Sequence, residues 1–212
     1  FHVFRADVRD GKLENVVRLT GETKSDLPRY YYSQYDMEIN PAWTRDGQEI
    51  LFISNRGRIH GTGGFWRIKA EPGAEPREIH YEETNWKVRP DFSPDGKRIV
   101  YASYFGQSWH QLWLMPANGG DVFAISYGSY DNINPRWSPD GKQIAFISNR
   151  NGNTSLWTQT IPGGAQTELH RRVAVAGDAS ELDDEINAFN WAIATTFIGL
   201  AAVLLLTTLF QV

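Results

Sequence analysis

The chain has 212 residues, 41% hydrophobic and 13% aromatic, enough apolar material for one packed domain and an appendage, so wholesale disorder is excluded. Its net charge of −4 traces to Glu181, Asp183, Asp184 and Glu185; without them acidic and basic residues balance, which excludes a broad basic face for nucleic acid. The absence of cysteine excludes disulfides, thiolate catalysis and Cys-based zinc sites together, and leaves the compartment open.

The chain opens at Phe1, without Met and without a basic stretch leading into an apolar one, so a removed signal segment or a processed or truncated product is expected. Residues 1–8, FHVFRADV, read as a strand, Arg9 to Lys12 as a turn and residues 15–20 as a second short strand. Residues 21–39 are polar and tyrosine-rich and read as a loop. Its Tyr30, Tyr31, Tyr32 and Tyr35 are candidates for partner contact, because amphipathic rings favour interfaces; the competing reading has them wall the gap between repeats.

From residue 40 a unit recurs. Residues 40–56 read NPAWTRDGQEILFISNR, residues 89–105 RPDFSPDGKRIVYASYF and residues 134–150 NPRWSPDGKQIAFISNR. In each, a strand ends in an aromatic (Trp43, Phe92, Trp137), a tight turn carries Asp-Gly, and an aliphatic strand follows. Asp bonds its own backbone in such a turn and Gly accepts positive φ, so the unit is a β-hairpin with its turn chemistry written out. Pro41, Pro90 and Pro135 lie 49 and 45 residues apart, a period that belongs to repeat architectures.

Each repeat then supplies a third strand, at 65–69, 111–115 and 155–159, a Gly-containing turn, and a short fourth strand, at 77–80, 122–125 and 167–169. Four strands per unit of this length describe a β-propeller blade. By the same pattern residues 1–20 are the last two strands of a partial blade. The expected fold is therefore all-β, an incomplete propeller of about three and a half four-stranded blades.

The Pro-x-Trp-Ser-Pro-Asp-Gly-Lys hairpin, the Ser-Asn-Arg strand end and the Leu-Trp strand resemble the TolB-type propeller repeat, a relative of the WD repeats, over residues 40–169 and in part over 1–20. With the Tyr-rich stretch, the HGTGG loop and the HYEETNW linker, the chain is also similar to the propeller half of bacterial amidohydrolase-like proteins, in which a propeller is fused to a metal-dependent hydrolase domain. That resemblance implies a propeller that accompanies an enzyme and does not itself catalyse. After Leu169 the sequence departs from that resemblance, and an apolar stretch is expected in place of the hydrolase domain.

Residues 170–185 read as a linker with an acidic flank, and residues 186–212 contain no charged side chain across 27 positions. A stretch of about 20 apolar residues spans a bilayer as a helix, so a single C-terminal transmembrane helix is expected. Trp191 suits an interfacial anchor, and Phe197 joins the candidate partner contacts within the span. Arg171 and Arg172 are too distant for charge to set the orientation. The TolB resemblance implies a periplasmic propeller, with a cytoplasmic tail-anchored arrangement as the alternative.

Little in the sequence points to chemistry. His2, His60, His80, His110 and His170 form no HExxH or HxH motif; a site assembled from His60, His80 and His110 is weighed against ordinary hydrogen-bonded histidines, and the latter is preferred. Gly61-Thr62-Gly63-Gly64 leads into a strand and not the helix a phosphate loop needs, so it reads as a hairpin connection. Asp46, Asp95 and Asp140 recur in the same turn and read as turn-closing, and Trp43, Phe92 and Trp137 read as packing between blades. No catalytic, cofactor or metal residue is assigned.

The expected function is that of a non-catalytic accessory or scaffold subunit of a larger membrane complex, a respiratory or photosynthetic one for instance. It would contact other subunits and, through residues 186–212, the lipid bilayer, and no nucleic acid. The alternatives are the remnant or propeller half of an amidohydrolase-like enzyme and a TolB-like periplasmic envelope factor.

Overall fold

Each repeat closes into a four-stranded antiparallel meander, because every connection between its strands is short enough for a hairpin. The computed structural model describes residues 1–29, 33–83, 86–106, 108–164 and 166–170. The transmembrane span expected over 186–212, with Trp191 and Phe197, and the candidates Tyr30, Tyr31 and Tyr32 lie outside them. Among the described residues no helix is long and apolar enough to cross a membrane.

Strands β1 (Phe4–Arg9) and β2 (Lys12–Arg18) form a two-stranded sheet. The turn between them is only Asp10-Gly11, both at positive φ (48° and 72°), so the second strand begins earlier than its apolar residues suggest. Blade 1 comprises β3 (Glu38–Trp43), β4 (Glu49–Ser54), β5 (Gly64–Lys69) and β6 (Arg77–Tyr81). Blade 2 comprises β7 (Lys87–Phe92), β8 (Arg98–Ser103), β9 (Gln111–Pro116) and β10 (Phe123–Ala124); blade 3, β11 (Asn132–Trp137), β12 (Gln143–Ser148), β13 (Ser155–Thr160) and β14 (Gln166–His170).

The repeated Asp-Gly turn has one construction in all three blades. Hydroxyls of Thr44, Ser93 and Ser138 donate to Asp46, Asp95 and Asp140 at 2.6, 2.5 and 2.6 Å. Each carboxylate also accepts the backbone N–H two residues on, at 3.0 to 3.1 Å, and each hydroxyl accepts the N–H that starts the next strand, at 2.9 to 3.0 Å. The hydroxyl bond, and then the backbone bond, hold all three carboxylates below the usual aspartate range. These aspartates close turns.

A second recurrent device was hidden behind the prolines. Asn40, Arg89 and Asn134, each just before Pro, have φ of 52°, 56° and 54°, and the pairing of the innermost strand shifts register there in every blade. Asn tolerates this left-handed conformation; Arg89 meets the steric penalty of an ordinary side chain.

Adjacent blades stack through their aliphatic strands. Leu51 and Ile53 of blade 1 pack with Phe92, Ile99 and Tyr101 of blade 2; Val100 and Ala102 of blade 2 pack with Trp137, Ile144 and Phe146 of blade 3. Side chains of β4 and β8 are therefore buried on both faces, whereas β12 alternates between buried and half-buried. The expectation that Trp43, Phe92 and Trp137 share a packing role is corrected at Trp43. Phe92 and Trp137 are buried against β4 and β8, but Trp43 takes no part in the cluster where Val3, Val17 and Leu19 pack on Ile50, Phe52 and Ile68, and it is 48% exposed.

The meander gives the blades two unlike ends. One carries the Asp-Gly turns and the loops between third and fourth strands; the other carries the loops between second and third strands and the connections from blade to blade. The first is the turn end and the second the loop end.

Candidate functional site

At the loop end the repeated Ser-Asn-Arg works as scaffolding. Asn55 and Asn149 accept the backbone N–H of Met37 and Asp131, each at 2.8 Å, tying the incoming connection to its own blade. Arg56 and Arg150 stand over the rings of Trp66 and Trp157 at 5.5 and 4.3 Å, and in blade 2 Phe105 meets Trp113 edge-on at 5.3 Å. An aromatic pair thus replaces a cation–π pair at the same place in the repeat.

Residues 21–29 and 33–37 are pinned from beneath. The Arg29 guanidinium is buried, donating to Asp36 (2.7 Å) and to the carbonyls of Asn55 (2.9 Å) and Arg58 (3.1 Å). Ser25 N–H donates to Gln34 O and Asp36 N–H to Thr23 O, so residues 23–25 pair antiparallel with 34–36, with Lys24 bridged to Tyr35. Tyr35 is half exposed.

The first position of each innermost strand, three before the proline, is a buried polar residue: Glu38, Lys87 and Asn132. Sequence reasoning missed them, since Glu, Lys and Asn share neither charge nor size. Asn132 joins Gln111 and Ser126 (2.8 and 3.3 Å) and receives Arg150 at 2.8 Å. Glu38 accepts from His2 at 3.1 Å and Thr20 at 3.2 Å; burial raises its pKa and these bonds oppose that.

Lys87 is the extreme case, fully buried between blades 1 and 2. Its ammonium donates to the Gly63 carbonyl and to Glu82 O (3.3 Å), and lies 3.9 Å from the buried Glu82 carboxylate. Tyr101, also buried, donates to that carboxylate at 3.2 Å. Burial pushes Lys87 down to about 8 against the pull of Glu82, and pushes Glu82 and Tyr101 up. The backbone that presents this carbonyl requires glycine: at Gly63 φ is 82°, and a Cβ would lie 1.9 Å from Ser54 O.

Above this layer a cleft of about 890 Å³ opens at the boundary of blades 1 and 2. Arg58, Ile59, His60 and Tyr81 wall it from blade 1, Glu83 from the connection, and Tyr104 from blade 2. Two of its rings are held in place. Arg58, paired with Glu78 at 2.9 Å, lies 3.9 Å over Tyr81, and Tyr104 stacks on His110 at 3.8 Å, whose Nδ1 is held by Asp131 at 3.0 Å. Glu83 is exposed and has no ion-pair partner among the described residues.

The histidines weighed together as a metal site have separate surroundings: His60 lines the cleft, His80 sits half-buried in β6, and His110 is bonded to Asp131. Burial, with Lys87 nearby, lowers the pKa of His80. Among the described residues no group of three or more His, Asp or Glu side chains is placed to hold a metal ion.

Comparison with known proteins fits this architecture. Residues 77–185 match the family model of the TolB beta propeller domain. The chain is 33% identical over 86 residues to the uncharacterized peptidase YuxL of Bacillus subtilis, covering 38% of this chain and 13% of the peptidase. It is 32% identical over 72 residues to the Tol-Pal system protein TolB of Xanthomonas campestris, covering 32% of this chain and 16% of that protein. Among solved structures, TolB from Acinetobacter baumannii superposes with a TM-score of 0.58 at 19% identity, over 80% of this chain and 37% of that one. The matched stretches thus span well under half the length of these relatives.

Proposed function

This chain belongs to the TolB β-propeller domain family, and on that premise we propose that it is a non-catalytic interaction module, an accessory or scaffold subunit of a larger membrane protein complex. In this reading residues 186–212 anchor it in the bilayer as one helix, and the propeller is periplasmic. The observation that carries the reading is the distribution of exposed aromatic rings. Leaving aside Phe1 and Phe4 of the N-terminal segment, Tyr35, Tyr81, Trp86, Trp109 and Tyr127 are 50, 41, 39, 40 and 67% exposed at the loop end, against Trp43 and Phe123 near the turn end. Large rings on pinned loops offer contact area at low entropic cost, as protein interfaces favour.

The test is purification of the full chain from detergent-solubilised membranes. The proposal expects stoichiometric protein partners in the eluate; a chain that stays soluble and monomeric without detergent contradicts it.

A second reading, a propeller that accompanies a hydrolase, is favoured by the similarity to the Bacillus subtilis peptidase, and the amidohydrolase-like resemblance of the sequence belongs with it. Metal analysis with an amide-hydrolysis screen separates the two: stoichiometric zinc or turnover favours the hydrolase. Similarity to the Xanthomonas TolB favours a third reading, a periplasmic envelope factor.

A further inference from the structure

We infer that the cleft between blades 1 and 2 is a recognition site for a basic side chain, lysine or arginine, carried on an extended segment of a partner protein, with Glu83 as its counter-ion and Tyr81 and Tyr104 as its walls. The inference rests on the interaction-module reading and names the chemistry of the partner that reading requires.

Charge complementarity argues for this occupant. Of the charged groups around the cleft, Arg58 is already neutralised by Glu78 in a two-point pair (2.9 and 3.2 Å), and Asp131 is engaged by both the ring and the backbone N–H of His110 (3.0 and 2.9 Å). Beneath, Lys87 and Glu82 form a pair with no exposed surface. Glu83 remains as an exposed carboxylate with no ion-pair partner among the described residues, so the cleft presents one uncompensated negative charge.

The walls suit the same occupant. Tyrosine rings attract cations over their faces, and Arg58 over Tyr81 shows a guanidinium resting on this ring. Both rings are fixed by neighbours, Tyr81 by Arg58 and Tyr104 by His110, so they lose little freedom when a ligand arrives. The cleft has room for a side chain and its flanking backbone.

The test uses the full chain in detergent and four labelled pentapeptides, acetyl-Gly-Ser-X-Ser-Gly-amide, with arginine, lysine, glutamine or glutamate at X. The arginine and lysine peptides are expected to bind about three- to five-fold more tightly than the glutamine peptide, with the glutamate peptide weakest and the preference fading in high salt. Glu83→Gln should abolish the preference with the melting temperature unchanged, and Tyr104→Phe should keep it. Binding that ignores charge, binding too weak to detect for every peptide, or a preference that survives Glu83→Gln overturns the assignment of the cleft alone. The peptides are recovered and weighed by mass spectrometry: cleavage would overturn the non-catalytic reading itself.

Discussion

The two ends of the propeller solve the same problem, closing antiparallel strands, in opposite ways. At the turn end one solution is used three times: hydroxyl to aspartate, aspartate to backbone, glycine at positive φ. At the loop end blades 1 and 3 share the Ser-Asn-Arg tie, but the layer beside it differs in every blade. The innermost strands begin with Glu38, Lys87 and Asn132, each satisfied by a different set of partners, and the loops above them carry aromatic rings into solvent. The difference teaches where the repeat is constrained by folding and where its loops are free to serve recognition.

The largest test of that contrast is Lys87→Met. It strands the buried Glu82 carboxylate, and denaturant unfolding should show a loss of about 3–5 kcal/mol. Lys87→Met with Glu82→Leu should recover most of it, because replacing a whole buried pair by apolar groups is tolerated far better than breaking it. A neutral single variant would show that the pair does not organise this end.

The pH dependence sharpens the same point. The pKa of Lys87 in the folded protein, about 8, is below its ordinary value, so the unfolded chain binds more protons between the two. Relative to Lys87→Met, the native protein should gain stability as pH rises from about 8 toward the usual lysine range of about 10.4. Melting temperatures of the two proteins across that range measure it.

At the turn end the expected effects are smaller and, above all, equal. Thr44→Val, Ser93→Ala and Ser138→Ala each remove one hydroxyl cap and should each cost about 1 kcal/mol in denaturant unfolding. A spread as wide as that expected among loop-end variants would break the comparison. The three aspartates have depressed pKa values, so their contribution is complete above the ordinary aspartate pKa and is lost as pH falls through the folded values. Removing the hydroxyls should flatten that acid limb of the stability profile.

The smallest effect is a gain. Arg89 holds a left-handed conformation that its counterparts Asn40 and Asn134 adopt more readily, so Arg89→Asn should stabilise by about 0.5–1 kcal/mol. An unchanged midpoint would mean that Arg89 compensates for its strain.

What was legible in the sequence follows this division. The hairpins, the strand alternation and the role of Asp46, Asp95 and Asp140 could be read because they depend on residues within one short stretch. Trp43 misled because equal positions in a repeat do not guarantee equal neighbours: Phe92 has β4 behind it, and Trp43 has no corresponding strand among the described residues. Lys87 was silent because its partners Gly63 and Glu82, and the Tyr101 that holds Glu82, come from blade 1, a connection and β8. The cleft was silent for the same reason, since Tyr81 and Glu83 lie more than 20 residues before Tyr104 and only folding brings them around one opening. Of the residues proposed for partner contact, Tyr35 is the one within the described residues, and it stands exposed at the loop end.

The central claim is that the loop end meets the partner and the turn end does not. A photoreactive benzophenone amino acid placed at Ile59, on the cleft wall, or at Lys97, exposed on the turn of blade 2, tests it in intact membranes. Adducts with one defined protein from position 59 and none from position 97 are the predicted result; adducts from position 97, or none from either position, would contradict it.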